Sequence, residues 1–138
     1  VGGEVVYLLE ERSPRGVSLI TDVGVRLPAA ATASGRAMLA QLPAAELKAL
    51  YGVVGHGSYR EWLMPITEAQ HRGWGSESEE VSPGQESLAV AVVDHMGRPA
   101  AALAVTFRVG SLDKNRASEV IEQLQSRAAM LESALFGR

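Results

Sequence analysis

The residues able to do chemistry in this sequence are hydroxyls, carboxylates and a run of nearly bare backbone, and their spacing favours recognition over catalysis. Ser87 sits in "GQESLAV", which lacks the flanking glycines of a G-x-S-x-G nucleophile elbow. Asp94 and His95 are adjacent but fall in a turn far along the strand from Ser87, so the spacing supplies no nucleophile–base pair. A hydrolase using Ser87 therefore lacks a base. His56, His71 and His95 show no metal-ligand spacing, and no glycine-rich phosphate loop is present. No catalytic residue, metal or cofactor is expected. The recognition chemistry begins at residues 26–39, "RLPAAATASGRAML". Between Leu27 and Met38 almost every side chain is tiny, and Arg36 is the one large exception. A helix start leaves unpaired N–H groups and a partial positive charge. If a helix begins near Thr32 to Ser34, the N–H groups of Ala33, Ser34 and Gly35 face outward with no side chain to block a carboxylate. The competing reading is an ordinary N-cap, in which Thr32 or Ser34 satisfies its own helix.

Several elements must hold these groups in place. "EVVYLLEE" (4–11) reads as a strand, "SPRG" (13–16) as a turn and "VSLITDVGVRL" (17–27) as a second extended stretch. From Ser34 a short helix is expected to end at Pro43. A second, "PAAELKALYG" (43–52), is expected to close at Gly52. A third is expected from about Tyr59 to Arg72, with Pro65 as a potential break. "WGSESEEVSPGQES" (74–87) reads as a strand start and an acidic loop turning at Pro83-Gly84. In that loop Glu77, Glu79 and Glu80 read as a solvated run, with Glu77 alone near enough to "GWGS" to reach a pocket edge.

The clearest element is a β-hairpin, "SLAVAVVD" (87–94) and "PAAALAVTF" (99–107) around "HMGR". Alternate side chains on a strand point to opposite faces. Leu88, Val90 and Val92 share one face, and Ser87, Ala89 and Ala91 the other. In the second strand Leu103, Val105 and Phe107 oppose Ala102, Ala104 and Thr106. Pairing Asp94 with Pro99 sets Ser87 opposite Thr106, Ala89 opposite Ala104 and Ala91 opposite Ala102. One face is then bulky and suited to packing on a helix. The small face is either a seat where alanines let a helix approach closely, or a pocket floor with Ser87 and Thr106 as polar contacts. The final stretch is a long amphipathic helix whose stripe is Ala117, Ile121, Leu124, Ala128, Leu131 and Leu135. Ser111 or Asp113 would cap its start and Gly137 mark its end.

The totals fit one globular domain of 138 residues, 46% apolar and 21% charged. A net charge of −3 argues against a nucleic-acid-binding surface on this chain. With no cysteine there is neither a disulfide framework nor a thiolate metal site, which is compatible with a cytoplasmic protein. No apolar run approaches the roughly 20 residues that span a bilayer, so no membrane partner is expected. Strands interleaved with helices predict an α+β fold around a mainly antiparallel sheet.

Two motifs carry a family likeness. "RLPAAATASGRAMLAQLP" is a small-residue loop running into an S-G-[KR]-A-x-L-A helix. "RGWGSESEEVSPGQESLAVAVVDHMGRPAAALAVTF" passes a G-aromatic-small segment through an E-E-x-x-x-G turn into the hairpin. With the amphipathic terminal helix they make nearly the whole chain resemble the effector-binding domain of IclR-family bacterial transcription regulators. The resemblance implies a GAF-like antiparallel sheet flanked by helices, a long C-terminal helix and a small-molecule pocket. It also implies a winged helix-turn-helix DNA-binding domain N-terminal to residues 1–138, absent from this chain, and assembly into homodimers or homotetramers. Carried over position by position, the family's effector contacts fall on the backbone of Ala33 and Ser34 beside Gly35, and on Glu77, Ser87, Ala104 and Thr106. Apolar lining falls on Leu19 and Leu27, which rest on the resemblance alone; Ala89 joins the set from the strand alternation. Arg36 stands where the family typically has lysine. Ala104 cannot donate a side-chain hydrogen bond, and Gln85 falls on the rim where some relatives are apolar. The expected function is effector sensing of a small organic acid, with a ligand-free dimerisation module as the alternative.

Overall fold

The computed structural model describes residues 2–8 and 25–137. Strand β1 (Glu4–Val6) pairs antiparallel with β2 (Arg26–Pro28), Val5 opposite Leu27. A 3-10 turn at Ala29–Ala31 leads into α1 (Ala33–Leu39), α2 (Ala44–Val54) and α3 (Tyr59–Arg72). Strands β3 (Gly75–Ser78), β4 (Gln85–Val93) and β5 (Pro99–Arg108) form an antiparallel sheet in that order, and α4 (Lys114–Phe136) closes the fold. The architecture is α+β, as expected. The second extended stretch is described only from residue 25, so most of it lies outside the described residues, as does the turn at 13–16.

Local chemistry sets the helix ends. Ser58 caps α3 by accepting the Glu61 N–H at 3.1 Å, and Gly73 ends it in the left-handed region at φ 86°. Pro65 does not break this helix. Trp62, Ile66 and Ala69 recur on one buried face, and their packing outweighs the one hydrogen bond that proline withholds. Gly52 does not close α2, which runs on to Val54 before Gly55 leaves the helical region. A glycine inside a helix costs only about 1 kcal/mol relative to alanine. A Cβ at Gly55 would fall inside the Tyr51 ring, so that is where the chain turns. Asp113, rather than Ser111, caps α4 by accepting the Arg116 N–H at 2.8 Å, and Gly137 marks its end as expected.

The hairpin register matches the alternation: Ser87 lies opposite Thr106, Ala89 opposite Ala104 and Ala91 opposite Ala102. The expected Asp94–Pro99 pair does not form. A bulge after Val92 pairs Val93 with Pro99, which has no N–H to give. The Val93 N–H donates to Glu132 Oε2 of α4 at 2.8 Å, tying strand to helix at the irregularity.

Two layers cover the β3–β4–β5 sheet. On the bulky face Leu88, Val90 and Val92 pack with Trp74, Leu103 and Phe107 against Ala117, Ile121, Leu124 and Ala128 of α4. The last two positions of the predicted stripe, Leu131 and Leu135, are exposed at 38% and 65%, because the face turned to the sheet continues from Leu124 and Ala128 through Glu132 and Phe136 instead. On the small face Ala33 and Ala37 of α1 rest on Ala89 and Ala91. The approach is close enough that Gly75, opposite Ala89, has no room for a side chain: a Cβ would lie 2.8 Å from the Ala37 nitrogen and nearer still to the Ala33 carbonyl. A separate core of Val5, Ala29, Leu39, Leu47, Trp62 and Ile66 joins the small sheet to the first three helices. Leu27 packs there.

Candidate functional site

The small face divides into two parts. Its middle is a helix seat, and its Ser87–Thr106 end opens into a cavity between the start of α1, β3, the loop after β3 and the ends of β4 and β5. Ala33, Ser34, Glu77, Ser87, Ala104 and Thr106 line it, joined by Tyr7, Thr32, Val81, Ser82 and Gln85. Six of the ten predicted positions therefore converge. Ala89 does not line the cavity: it is fully buried beneath Ala33 and Ala37, so there the seat reading holds. Leu27 belongs to the other core, and Leu19 lies outside the described residues.

Gly35 is also corrected. Its N–H donates to Thr32 Oγ1 at 2.9 Å, while the Thr32 hydroxyl donates to the Ala29 carbonyl at 3.2 Å. Thr32 is therefore the N-cap, and Gly35 is glycine because a Cβ would collide with the Ala29 carbonyl. Among the described residues the N–H groups of Ala33 and Ser34 take no partner, and both residues face the cavity. Across it, the hydroxyls of Ser87 and Thr106 hydrogen-bond each other at 2.8 Å.

Of the predicted solvated run, Glu79 and Glu80 are exposed, but Glu77 is buried at 6% exposure and its Oε2 accepts the Glu80 N–H at 3.2 Å. Glu80 is itself tethered, pairing with Arg36 at 2.8 Å. Glu79 adopts φ 58° and accepts the Gly84 N–H, while the Gln85 N–H donates to the Ser82 carbonyl. The acidic loop is thus a folded wall presenting Val81 and Ser82 to the cavity.

Arg36 neither reaches the cavity nor faces water. It is 7% exposed; its Nε donates to the Ala30 carbonyl and its Nη1 to the Ser76 carbonyl, both at 2.8 Å. With Glu80 these contacts pin α1 to the 3-10 turn, to β3 and to the acidic loop at once. The fork of a guanidinium suits that task.

Gln85 was expected at the rim and proves to be part of the lining. It is 7% exposed, and its Oε1 is buried with no hydrogen-bond partner among the described residues. Only its type and its position two residues before Ser87 signalled this. A second, wider groove of about 300 Å³ lies across β3 and β4 from the first, against Pro65, Trp74, Leu88, Phe107 and Leu112. No motif in the sequence pointed to it.

Residues 1–132 match the family model described as bacterial transcriptional regulator IclR, C-terminal. The chain belongs to the IclR family. This IclR-family domain is similar to the HTH-type transcriptional regulator XynR of Escherichia coli strain K12, at 31% identity over 142 residues, 97% of this chain and 56% of the relative. The chain spans about half the length of the curated relatives that it matches in E. coli. Among solved structures it is similar to IclR of Thermotoga maritima, with TM-score 0.89 and 22% identity over 98% of this chain and 58% of that one. It is also similar to a double mutant of the PobR inducer-binding domain from Acinetobacter, in complex with 3-hydroxybenzoic acid, with TM-score 0.73 and 20% identity over 92% and 78% of the two chains. Both likenesses bear on fold alone. The matched family is one of bacterial transcriptional regulators, and the curated relatives are named as regulators rather than as enzymes. Among the described residues no helix is long and apolar enough to cross a membrane.

Proposed function

We propose that this IclR-family domain senses a small organic acid at the cavity beside α1, and that binding there modulates DNA binding by a winged helix-turn-helix elsewhere in the full-length protein. The observation that carries the reading is the convergence of Ala33, Ser34, Glu77, Ser87, Ala104 and Thr106, from separate elements, on one cavity. The effector's carboxylate takes the N–H groups of Ala33 and Ser34, which have no partner among the described residues. Ser87 and Thr106 exchange their mutual hydrogen bond for contacts to its other polar atoms. Glu77 turns the negative end away from β3 by like-charge repulsion.

The cavity is about 30 Å³, enough for a water or two. An acid of about six heavy atoms needs more, so loading moves the acidic-loop wall outward. Such a ligand reaches roughly −9 kcal/mol at best, and micromolar affinity is expected. It shifts DNA affinity only by binding two states of the regulator unequally. That PobR's inducer-binding domain was crystallised with 3-hydroxybenzoic acid is in keeping with an acid effector here. Acting on bacterial DNA, the regulator works in the cytoplasm.

Isothermal titration against a panel of carboxylates tests this. We expect at least one acid to bind in the micromolar range, and Ser34→Trp to abolish its binding. If every acid is weaker than about millimolar, or Ser34→Trp leaves the binder untouched, the site is misassigned.

A second reading, assembly into homodimers or homotetramers, is favoured by the exposed Leu131 and Leu135 with Met130 at the end of α4. Sedimentation distinguishes it: an oligomer that binds no acid is a scaffold.

A further inference from the structure

We propose that the Arg36–Glu80 ion pair is an autoinhibitory latch on the cavity: it holds residues 79–84 shut across the site, and an acid binds by opening it. The inference rests on the effector reading of the cavity and goes further by naming the contact that the effector must displace. A cavity of about 30 Å³ admits a water or two, so a wall has to yield before a larger acid enters.

The described walls differ in what anchors them. The start of α1 rests on the alanine seat and is pinned through Arg36, and Ser87, Ala104 and Thr106 stand on a continuous strand pair. Tyr7 packs against the core of the first three helices. Residues 79–84 have no such anchor. None of their side chains belongs to the apolar clusters of the described residues, and Glu79, Glu80, Pro83 and Gly84 are exposed. Segments with few buried apolar contacts open at least cost. Gly84, at φ 75° and without a Cβ, can take up the change of backbone angle that swings Val81 and Ser82 out of the cavity. Glu80 supplies the hold. Its Oε1 and Oε2 lie 2.9 and 2.8 Å from Arg36 Nη2, and its N–H donates to Glu77 Oε2. Arg36 cannot follow the loop outward, because its Nε and Nη1 stay on the Ala30 and Ser76 carbonyls. Opening the loop therefore parts Glu80 from Arg36, and the latch weakens every acid by the same factor.

The test is calorimetric titration of this chain with pyruvate, L-lactate, 3-hydroxybenzoate and benzoate. Glu80→Gln and Glu80→Ala break the latch and should tighten each acid that binds by about two- to fivefold, the reach of a half-exposed ion pair. The gain should shrink as salt approaches about 1 M, because screening loosens the latch in the wild type too. Glu79→Gln controls for charge. It removes the same charge one residue away, and its amide oxygen can still accept the Gly84 N–H, so affinities should stay within about 1.5-fold of wild type. Hydrogen exchange at the Glu80 amide, read by NMR, should quicken when an acid saturates the site, the reverse of a loop that closes on its ligand. Thermal melts check that the variants fold. If both Glu80 variants bind acids no tighter than wild type, if Glu79→Gln tightens them as much, or if the Glu80 amide slows or does not change, the latch falls while the effector reading stands. If none of the four acids binds any of these proteins, the effector reading falls and takes the latch with it.

Discussion

Replacing Arg36 by lysine isolates what holds the cavity wall in place. Lysine keeps the charge, but its single nitrogen cannot reach the Ala30 carbonyl, the Ser76 carbonyl and Glu80 together. The two carbonyl bonds are charge-assisted and lie on a 7% exposed residue, and bonds to charged groups contribute about 1.5–3 kcal/mol each. The Glu80 pair contributes less, because the Glu80 side chain is 49% exposed and solvent screens it to about 0–1 kcal/mol. With one carbonyl bond kept, Arg36→Lys should destabilise the domain by about 2–4 kcal/mol, a large part of a typical total of 5–15. Glu80→Gln should cost less than about 1 kcal/mol. Urea unfolding of both variants at low and high salt gives the comparison. Salt should lower the cost of Glu80→Gln and leave that of Arg36→Lys nearly unchanged. Equal costs for the two variants, or an Arg36→Lys cost that vanishes in salt, would refute the view that Arg36 acts through main-chain carbonyls.

Two other perturbations probe the packing and the turn. Gly75→Ala places a methyl against the Ala33 carbonyl and the Ala37 nitrogen, and should cost about 1–3 kcal/mol in the same unfolding assay. Asp94 accepts N–H bonds from Arg98 and Met96 in the hairpin turn, and these hold its carboxyl below the usual carboxylate range. Its stabilising contribution is therefore complete above the unfolded-state value and is lost as pH falls through the lowered folded one. Asp94→Asn should flatten the acid limb of a stability–pH profile and reduce stability near neutral pH.

The alternating hairpin and the terminal helix were legible because each is governed by local periodicity. Twelve residues of β4 and β5 separated cleanly into bulky and small faces, and the structure uses those faces as two distinct seats. The misreadings have tertiary causes. Pro65 and Gly52 signal breaks in isolation, yet α3 runs through Pro65 because of the face it buries and α2 carries Gly52 at small cost. Gly35 reads like open backbone, but Thr32 reaches its N–H first. Arg36 stands out in the sequence only as the one large side chain in a bare loop, and its partners at Ser76 and Glu80 lie forty or more positions away. The roles of Ala89 and Gln85 depended on where α1 lands along the small face: it covers Ala89 and stops short of Gln85.

The alanine seat under α1 has a mechanical consequence. Ala33, Ala37, Ala89 and Ala91 have no χ angle to rotate, and Gly75 has no side chain at all. Where leucines meet, a small shift of one helix is taken up by side chains changing rotamer. Here there is no such compliance, so a displacement at Ser34 must be passed directly to the main chain of β3 and β4 as movement. The other face of those strands carries α4, tied at Val93 to Glu132. A push of a few tenths of an ångström at one end of a seven-residue helix is therefore transmitted across the sheet, with little of it lost on the way.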